Sequence, residues 1–194
     1  MKLYWNKIMK TGHIKFDNHA LLQKCIDMAN NPIVSRKHET NGLFPGVVNS
    51  HFRNIALNEN TNPDPLFKER ESNPHNWNEL EFIITELKKH NPIETIETSW
   101  FNIMSRGASM KAHSHPFSTE FVLVYYVNSK PEHPPLEVFL DGEWKQLKVV
   151  TGDWVSFSNT TLHRVGPNLS DEDRISIALN FNTVKNHSMT GVGN

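Results

Sequence analysis

The stretch that decides the fold is His113-Ser114-His115-Pro116, followed after Glu120 by Phe121-Val122-Leu123-Val124-Tyr125-Tyr126-Val127. A β-branched and aromatic run of this length reads as a strand. Side chains alternate on extended backbone, so His113 and His115 share one face, and Glu120 shares another with Val122, Val124 and Tyr126. Two imidazoles aimed together are a metal-site geometry. With eleven histidines among 194 residues, however, chance alone supplies such a pair. The rest of the chain has to decide.

Outward from that stretch, residues after Pro92 follow period two in short lengths. Strands are expected near 95–104, 110–115, 120–127, 136–140, 143–149, 153–157, 162–166 and 174–182. Asp141-Gly142 lies between two of these runs and is a strong hairpin signal, because both central residues of a type I′ turn need positive φ. Gly107, Gly152 and Gly166-Pro167 mark other corners. Roughly eight short strands after a helical lead-in predict a mainly β fold, a double-stranded β-helix of the jelly-roll or cupin-like kind, with N-terminal helices packed outside.

The lead-in is less regular. Leu22, Cys25, Ile26 and Ala29 predict one helix after Asp17, stopped by Asn30-Asn31-Pro32. Residues 33–75 carry Asn-Gly, Phe-Pro-Gly and Asn-Pro-Asp-Pro turn signals and read as a long irregular connection, of the kind that often covers a site. A second helix is expected with Asn76 as cap, Glu79 at capping-box spacing, and Leu80, Ile83, Ile84 and Leu87 as its apolar stripe. The expectation is one domain over residues 1–194, with a lead-in over 1–92 and a β core over 93–183.

Twenty Lys and Arg against 21 Asp and Glu leave a formal charge of −1, so no overall basic field recruits nucleic acid or an anionic membrane. A single cysteine, Cys25, and the lack of any long apolar run point to a soluble protein of a reducing, cytoplasmic compartment. The expected partner is a small molecule or a protein. His13, His75, His133 and His187 sit in polar, loop-like surroundings and read as surface residues.

Two further constellations join the His113-x-His115 pair. Gly152-Asp153-Trp154-Val155-Ser156-Phe157 leads to Leu162-His163-Arg164-Val165, so a third imidazole arrives 48 positions after His115. In Arg174-Ile175-Ser176-Ile177-Ala178-Leu179-Asn180, alternation puts Arg174, Ser176, Ala178 and Asn180 on one face. Taken alone, Arg174 reads as a strand start paired with Asp171 or Asp173.

Taken together, Trp100-Phe101-Asn102, His113-Ser114-His115-Pro116, Val124-Tyr125-Tyr126-Val127, Gly152-Asp153 through Phe157, His163 and Arg174-Ile175-Ser176 resemble the iron(II) and 2-oxoglutarate-dependent oxygenase superfamily. Within it they resemble a family with an H-x-H-P motif, distantly similar to prolyl hydroxylases. The match covers roughly residues 95–182. It implies a mononuclear Fe(II), O₂ and 2-oxoglutarate as co-substrates, and hydroxylation of an unidentified small-molecule or protein substrate with release of succinate and CO₂. It also implies that His113, His163 and one further group hold the metal, and that Arg174, Ser176, Tyr126 and Asn102 hold the co-substrate. Arg suits a carboxylate because its planar fork donates two parallel hydrogen bonds.

Most members of that superfamily carry H-x-D where this chain has His115. The H-x-H spacing matches H-x-D directly, so His115 is the expected third ligand, with Glu120 as the alternative source of a carboxylate. Gly107, His113, His115, Glu120 and His163 also resemble the cupin motifs, although Val127 stands where cupins place a glycine. That alternative implies a metal-binding module or an enzyme that does not use 2-oxoglutarate. A purely structural jelly roll with surface histidines is the third reading.

Overall fold

A computed structural model describes residues 9–31, 36–37, 44–50, 73–115 and 119–184. Its strands are β1 (Lys10–His13), β2 (Arg36–Lys37), β3 (Val47–Asn49), β4 (Ile93–Met104), β5 (Met110–His113), β6 (Phe121–Asn128), β7 (Leu136–Leu140), β8 (Glu143–Leu147), β9 (Asp153–Ser158), β10 (His163–Val165) and β11 (Arg174–Thr183). The helices are α1 (His19–Asn30) and α2 (Asn78–His90), the latter preceded by a 3₁₀ turn over Pro74–Asn76. All eight expected strands of the β core are present. No helix among the described residues is long and apolar enough to cross a membrane.

The strands form two antiparallel sheets. The larger runs β1-β9-β6-β11-β4-β3-β2 and the smaller β5-β10-β7-β8. This is the double-stranded β-helix that the strand pattern predicts. Between β7 and β8, Asp141 and Gly142 take φ of 53° and 87°, the positive values a type I′ hairpin requires. Gly152 opens β9 with φ of 91°, and a Cβ there would lie 2.8 Å from the carbonyl of Ile14. Only glycine fits that corner.

β11 lies between β4 and β6 in the larger sheet, in register with both. Its odd residues Ile175, Ile177, Leu179 and Phe181 join Leu123, Tyr125, Trp154 and the helical residues Leu21, Cys25, Leu80, Ile83 and Leu87 in one apolar core. A second core, containing Met104, Met110, Val122, Tyr126, Leu136, Val138 and Val165, fills the space between the sheets. Helices therefore cover one face of the large sheet and the small sheet covers the other.

Several details depart from the sequence expectations. On α1 the buried positions are Leu21 and Cys25, with Met28 partly buried, while Ile26 is 37% exposed. The buried stripe is rotated toward Leu21 because that face meets the sheet. The Asn76–Glu79 capping box does not form: Asn76 belongs to the 3₁₀ turn, and α2 begins after Trp77 without a side-chain cap. Burial of the Trp77 indole against Phe101, 6.0 Å between ring centres, sets the start of the helix instead. His75 and His133 are not surface residues. His75 is half-buried on the Ser99 hydroxyl, 2.7 Å away, and His133 accepts the Lys130 N–H at 3.1 Å inside a tight turn. His13 is exposed and pairs with Asp153, while His187 lies outside the described residues. The 33–75 segment is not wholly irregular, since β3 pairs with β4 through Val47–Met104, Val48–Ile103 and Asn49–Asn102. Residues 51–72 of that segment lie outside the described residues.

Candidate functional site

β5 and β10 are antiparallel neighbours in the small sheet, and His163 stands directly opposite His113. His115 follows two residues later, where its N–H donates to the carbonyl of Asn159 at 2.8 Å. The three side chains converge as alternation predicts, with one potential ligand nitrogen from each lying within 4.8 Å of the others. The Nε2 atoms of His115 and His163 are 3.2 Å apart. Imidazole nitrogens bind a divalent ion at about 2.1 Å, so two at right angles sit about 3.0 Å apart. The spacing fits adjacent positions on one ion.

The protons are placed to match. His113 Nδ1 donates to the carbonyl of Lys111 at 2.8 Å, and His163 Nδ1 donates to the carbonyl of Thr161 at 2.9 Å. A carbonyl only accepts, so each Nδ1 carries the hydrogen and each Nε2 keeps its lone pair. Backbone bonds of this kind also fix the planes of metal-binding imidazoles. Burial holds His163 well below the usual histidine range, reinforced by the neighbouring His113 and His115. Burial also lowers His113, against the pull of the Lys111 carbonyl. Neutral imidazoles at pH 7 are ready donors.

These rings open onto a cavity of about 200 Å³, floored by the large sheet. Register sets the floor in rows. Asn49, Asn102, Ser176 and Tyr126 form one row across β3, β4, β11 and β6. Trp100, Ala178 and Val124 form the next. Arg174 closes the far end opposite Met104. Every residue that the resemblance implicated in co-substrate binding, Arg174, Ser176, Tyr126 and Asn102, lines this one cavity.

Arg174 is 2% exposed, and its Nε has no hydrogen-bond partner among the described residues. Its Nη1 lies 3.5 Å from the Met104 sulfur, and its guanidinium carbon sits 5.0 Å from the Tyr126 ring centre. The Asp171 pairing that the sequence suggested is taken by Arg106, and Lys130 takes Glu172. No carboxylate neutralises Arg174 among the described residues. Burial pushes its pKa down, with Tyr126 opposing. Burial likewise pushes the Tyr126 phenol up, with the nearby Arg174 opposing, and its hydroxyl meets no hydrogen-bond partner of good geometry among the described residues. A buried cation without a counter-charge costs several kcal/mol. An anion entering that end of the cavity would supply the missing counter-charge.

Glu120 is elsewhere. It precedes β6, is exposed, and accepts from the Thr183 N–H at 2.8 Å and the Thr183 hydroxyl at 2.6 Å. Glu120 does not line the cavity that Tyr126 enters; its carboxylate is held at the Thr183 end of β11. The cupin reading thereby loses its fourth ligand. None of residues 129–135 lines the cavity, and Ser129 is tied by hydrogen bonds to Val149 and Thr151.

Three wall residues escaped sequence reasoning as site residues. Asn49 sits on a three-residue strand too short to show a period. Phe44 meets His113 edge-on, 4.8 Å between ring centres. Trp100 stacks on His115 at 5.3 Å and 22°. The alternation of β4 was a signal for Trp100, since it puts Trp100 on the face of Asn102.

No protein-family profile matches the chain, and no curated protein does. Among solved structures the chain is similar to a prolyl-4-hydroxylase from Pseudomonas putida, at 15% identity and a TM-score of 0.60, covering 90% of this chain and 92% of that one. It is similar to a prolyl hydroxylase from Trichoplax adhaerens, solved with a hypoxia-inducible-factor peptide, at 11% identity and a TM-score of 0.62, covering 90% and 83%. It is also similar to SnoN, a non-haem α-ketoglutarate-dependent epimerase of nogalamycin biosynthesis, at 12% identity and a TM-score of 0.60, covering 98% and 88%. At these identities the likeness establishes the double-stranded β-helix fold that these enzymes share.

Proposed function

We propose that the chain is an Fe(II)- and 2-oxoglutarate-dependent oxygenase of the hydroxylase type, acting on a small-molecule or protein substrate with O₂ and releasing succinate and CO₂. In this reading His113, His115 and His163 hold the metal through neutral imidazole nitrogens. Three protein ligands would leave the metal able to take a 2-oxo acid and O₂. When bound, iron would supply the chemistry of dioxygen activation and oxidative decarboxylation of the 2-oxo acid.

The protein's own contribution is binding and orientation. Arg174 receives the distal carboxylate of 2-oxoglutarate, with Ser176, Tyr126 and Asn102 offering further polar groups along the same floor. The apolar surfaces of Val122, Val124, Leu136 and Val165 exclude water around that polar row. A reducing cytoplasmic setting suits both Fe(II) and Cys25, a buried thiol whose pKa burial and Glu79 push up to about 12. We read residues 1–194 as one unit serving this site.

The observation that carries the reading is Arg174, a buried cation with no counter-charge among the described residues, in the same cavity as three converging imidazoles. The test is anaerobic titration of Fe(II)-loaded protein with 2-oxoglutarate, followed by visible absorption. A metal-to-ligand charge-transfer band that weakens in Arg174→Met supports the assignment. Metal binding with no response to 2-oxoglutarate sinks it.

A further inference from the structure

The three imidazoles have different aromatic neighbours, Phe44 for His113, Phe157 for His163 and Trp100 for His115. His113 and His163 each anchor their Nδ1 to the backbone carbonyl two residues earlier, within or beside paired strands. His115 lies beyond the last paired residue of β5. Its ring stacks near-parallel to Trp100, at 5.3 Å and 22°, and to His163, at 5.0 Å and 20°. Trp100 rises from the buried end of β4, which pairs with β11 throughout this part of the large sheet, so the indole is a rigid surface. Its register partner is Ala178, a small side chain that also lines the cavity.

We propose that Trp100 is a positioning residue for His115: its indole face fixes the plane of the third imidazole and so completes the metal-binding set. The inference rests on the metal reading above and concerns a residue that contributes no ligand atom. An imidazole that gives its lone pair to a divalent ion gains positive charge. A cation over an indole face is attracted by the ring quadrupole, so the stack strengthens as metal binds. The same contact opposes rotation of His115 away from the position where its Nε2 stands 3.2 Å from that of His163. Losing the aromatic face weakens metal binding roughly 3- to 30-fold, the range such contacts supply. The geometry of the remaining complex changes as well.

The experiment titrates Co(II) into the metal-free protein and reads both affinity and the visible ligand-field spectrum. The variants are Trp100→Leu, Trp100→Met, Trp100→Phe and His115→Ala. The expected result is a weaker Co(II) affinity in Trp100→Leu, with a spectrum shifted toward that of His115→Ala, and substantial recovery of both in Trp100→Phe. Trp100→Met fills the buried space without a ring, so it answers the question if the leucine variant fails to fold. Wild-type affinity and spectrum in a folded Trp100→Leu or Trp100→Met overturn the proposal. Equal loss in Trp100→Phe and Trp100→Met overturns it too, because that pattern reports packing and not the aromatic face. Absence of Co(II) binding by the unaltered protein removes the metal reading itself and this inference with it.

Discussion

Replacing Arg174 by methionine should move two measurements in opposite directions. In the ligand-free protein the guanidinium is buried, unneutralised among the described residues, and in contact with the Met104 sulfur and the Tyr126 ring. An apolar side chain of similar reach removes the desolvation penalty and keeps the packing. Replacements of buried ionic groups by well-packed apolar ones stabilise by about 1–4 kcal/mol where the geometry allows. For a chain of this length each kcal/mol is worth on the order of 2–4 °C in melting temperature. Ligand-free Arg174→Met should therefore melt no lower than wild type, and above it if the methionine packs well. Binding of 2-oxoglutarate should collapse, because removing one partner of a buried charge pair costs about 3–5 kcal/mol, which is roughly two to four powers of ten in Kd. Thermal unfolding with and without 2-oxoglutarate, on protein loaded with a redox-inert divalent metal, reads both effects at once. A ligand-free variant that melts well below wild type refutes the reasoning, since Arg174 would then have an internal counter-charge. A ligand-induced shift that survives the substitution refutes it from the other side.

His115→Ala should lose most metal binding, whereas Glu120→Ala should leave metal stoichiometry unchanged and lower stability by about 1 kcal/mol for its two hydrogen bonds to Thr183. Metal analysis after anaerobic reconstitution separates the two. Tyr126→Phe removes a hydroxyl that has no hydrogen-bond partner among the described residues, so stability should hold while 2-oxoglutarate affinity drops several-fold, measured by titration calorimetry. The metal-free protein should weaken as pH falls. Folding lowers the pKa of His75, His113, His133 and His163, chiefly by burial, so the unfolded chain binds protons first. That stability is complete above the unfolded histidine value near 6.5 and is lost toward the lower folded values, by up to about 1.4 kcal/mol per pH unit for each group. A urea midpoint that stays constant between pH 7.5 and 5 contradicts this.

The β core was legible because its strands alternate cleanly: β4 to β11 start and end within about two residues of their sequence expectation. Asp141-Gly142 was legible because its backbone demand is local. Alternation along β11 also separated Arg174 and Ser176 from Ile175 and Ile177, and alternation along β6 separated Tyr126 from Tyr125. The readings that failed were those set by distant partners. Trp77 overrode the Asn76 cap because an indole found a pocket beside Phe101. Ile26 lost its place to Leu21 because the angle at which α1 meets the sheet is not written within α1. Glu120 is absent from the cavity because its carboxylate is taken by Thr183, 63 residues away in sequence. Asn49 was hidden because its strand spans three residues. His133 looked solvated because its sequence neighbours are polar, while its own ring folds back under Lys130.

β11 has one further consequence, for how such a protein changes over time. Because Ile175, Ile177, Leu179 and Phe181 of this strand belong to the helix-backed core while Arg174, Ser176 and Ala178 line the cavity, the two sets respond to different pressures. Substitutions at Ser176, Ala178 or their neighbours on β4 and β6 can reshape what the cavity accepts without touching the residues that keep the helices attached. Substitutions at Ile175, Ile177 or Leu179 are judged by packing alone. A wall built this way lets chemistry drift while folding stays put, so one scaffold can be re-equipped for new ligands by small steps that each leave a folded protein behind.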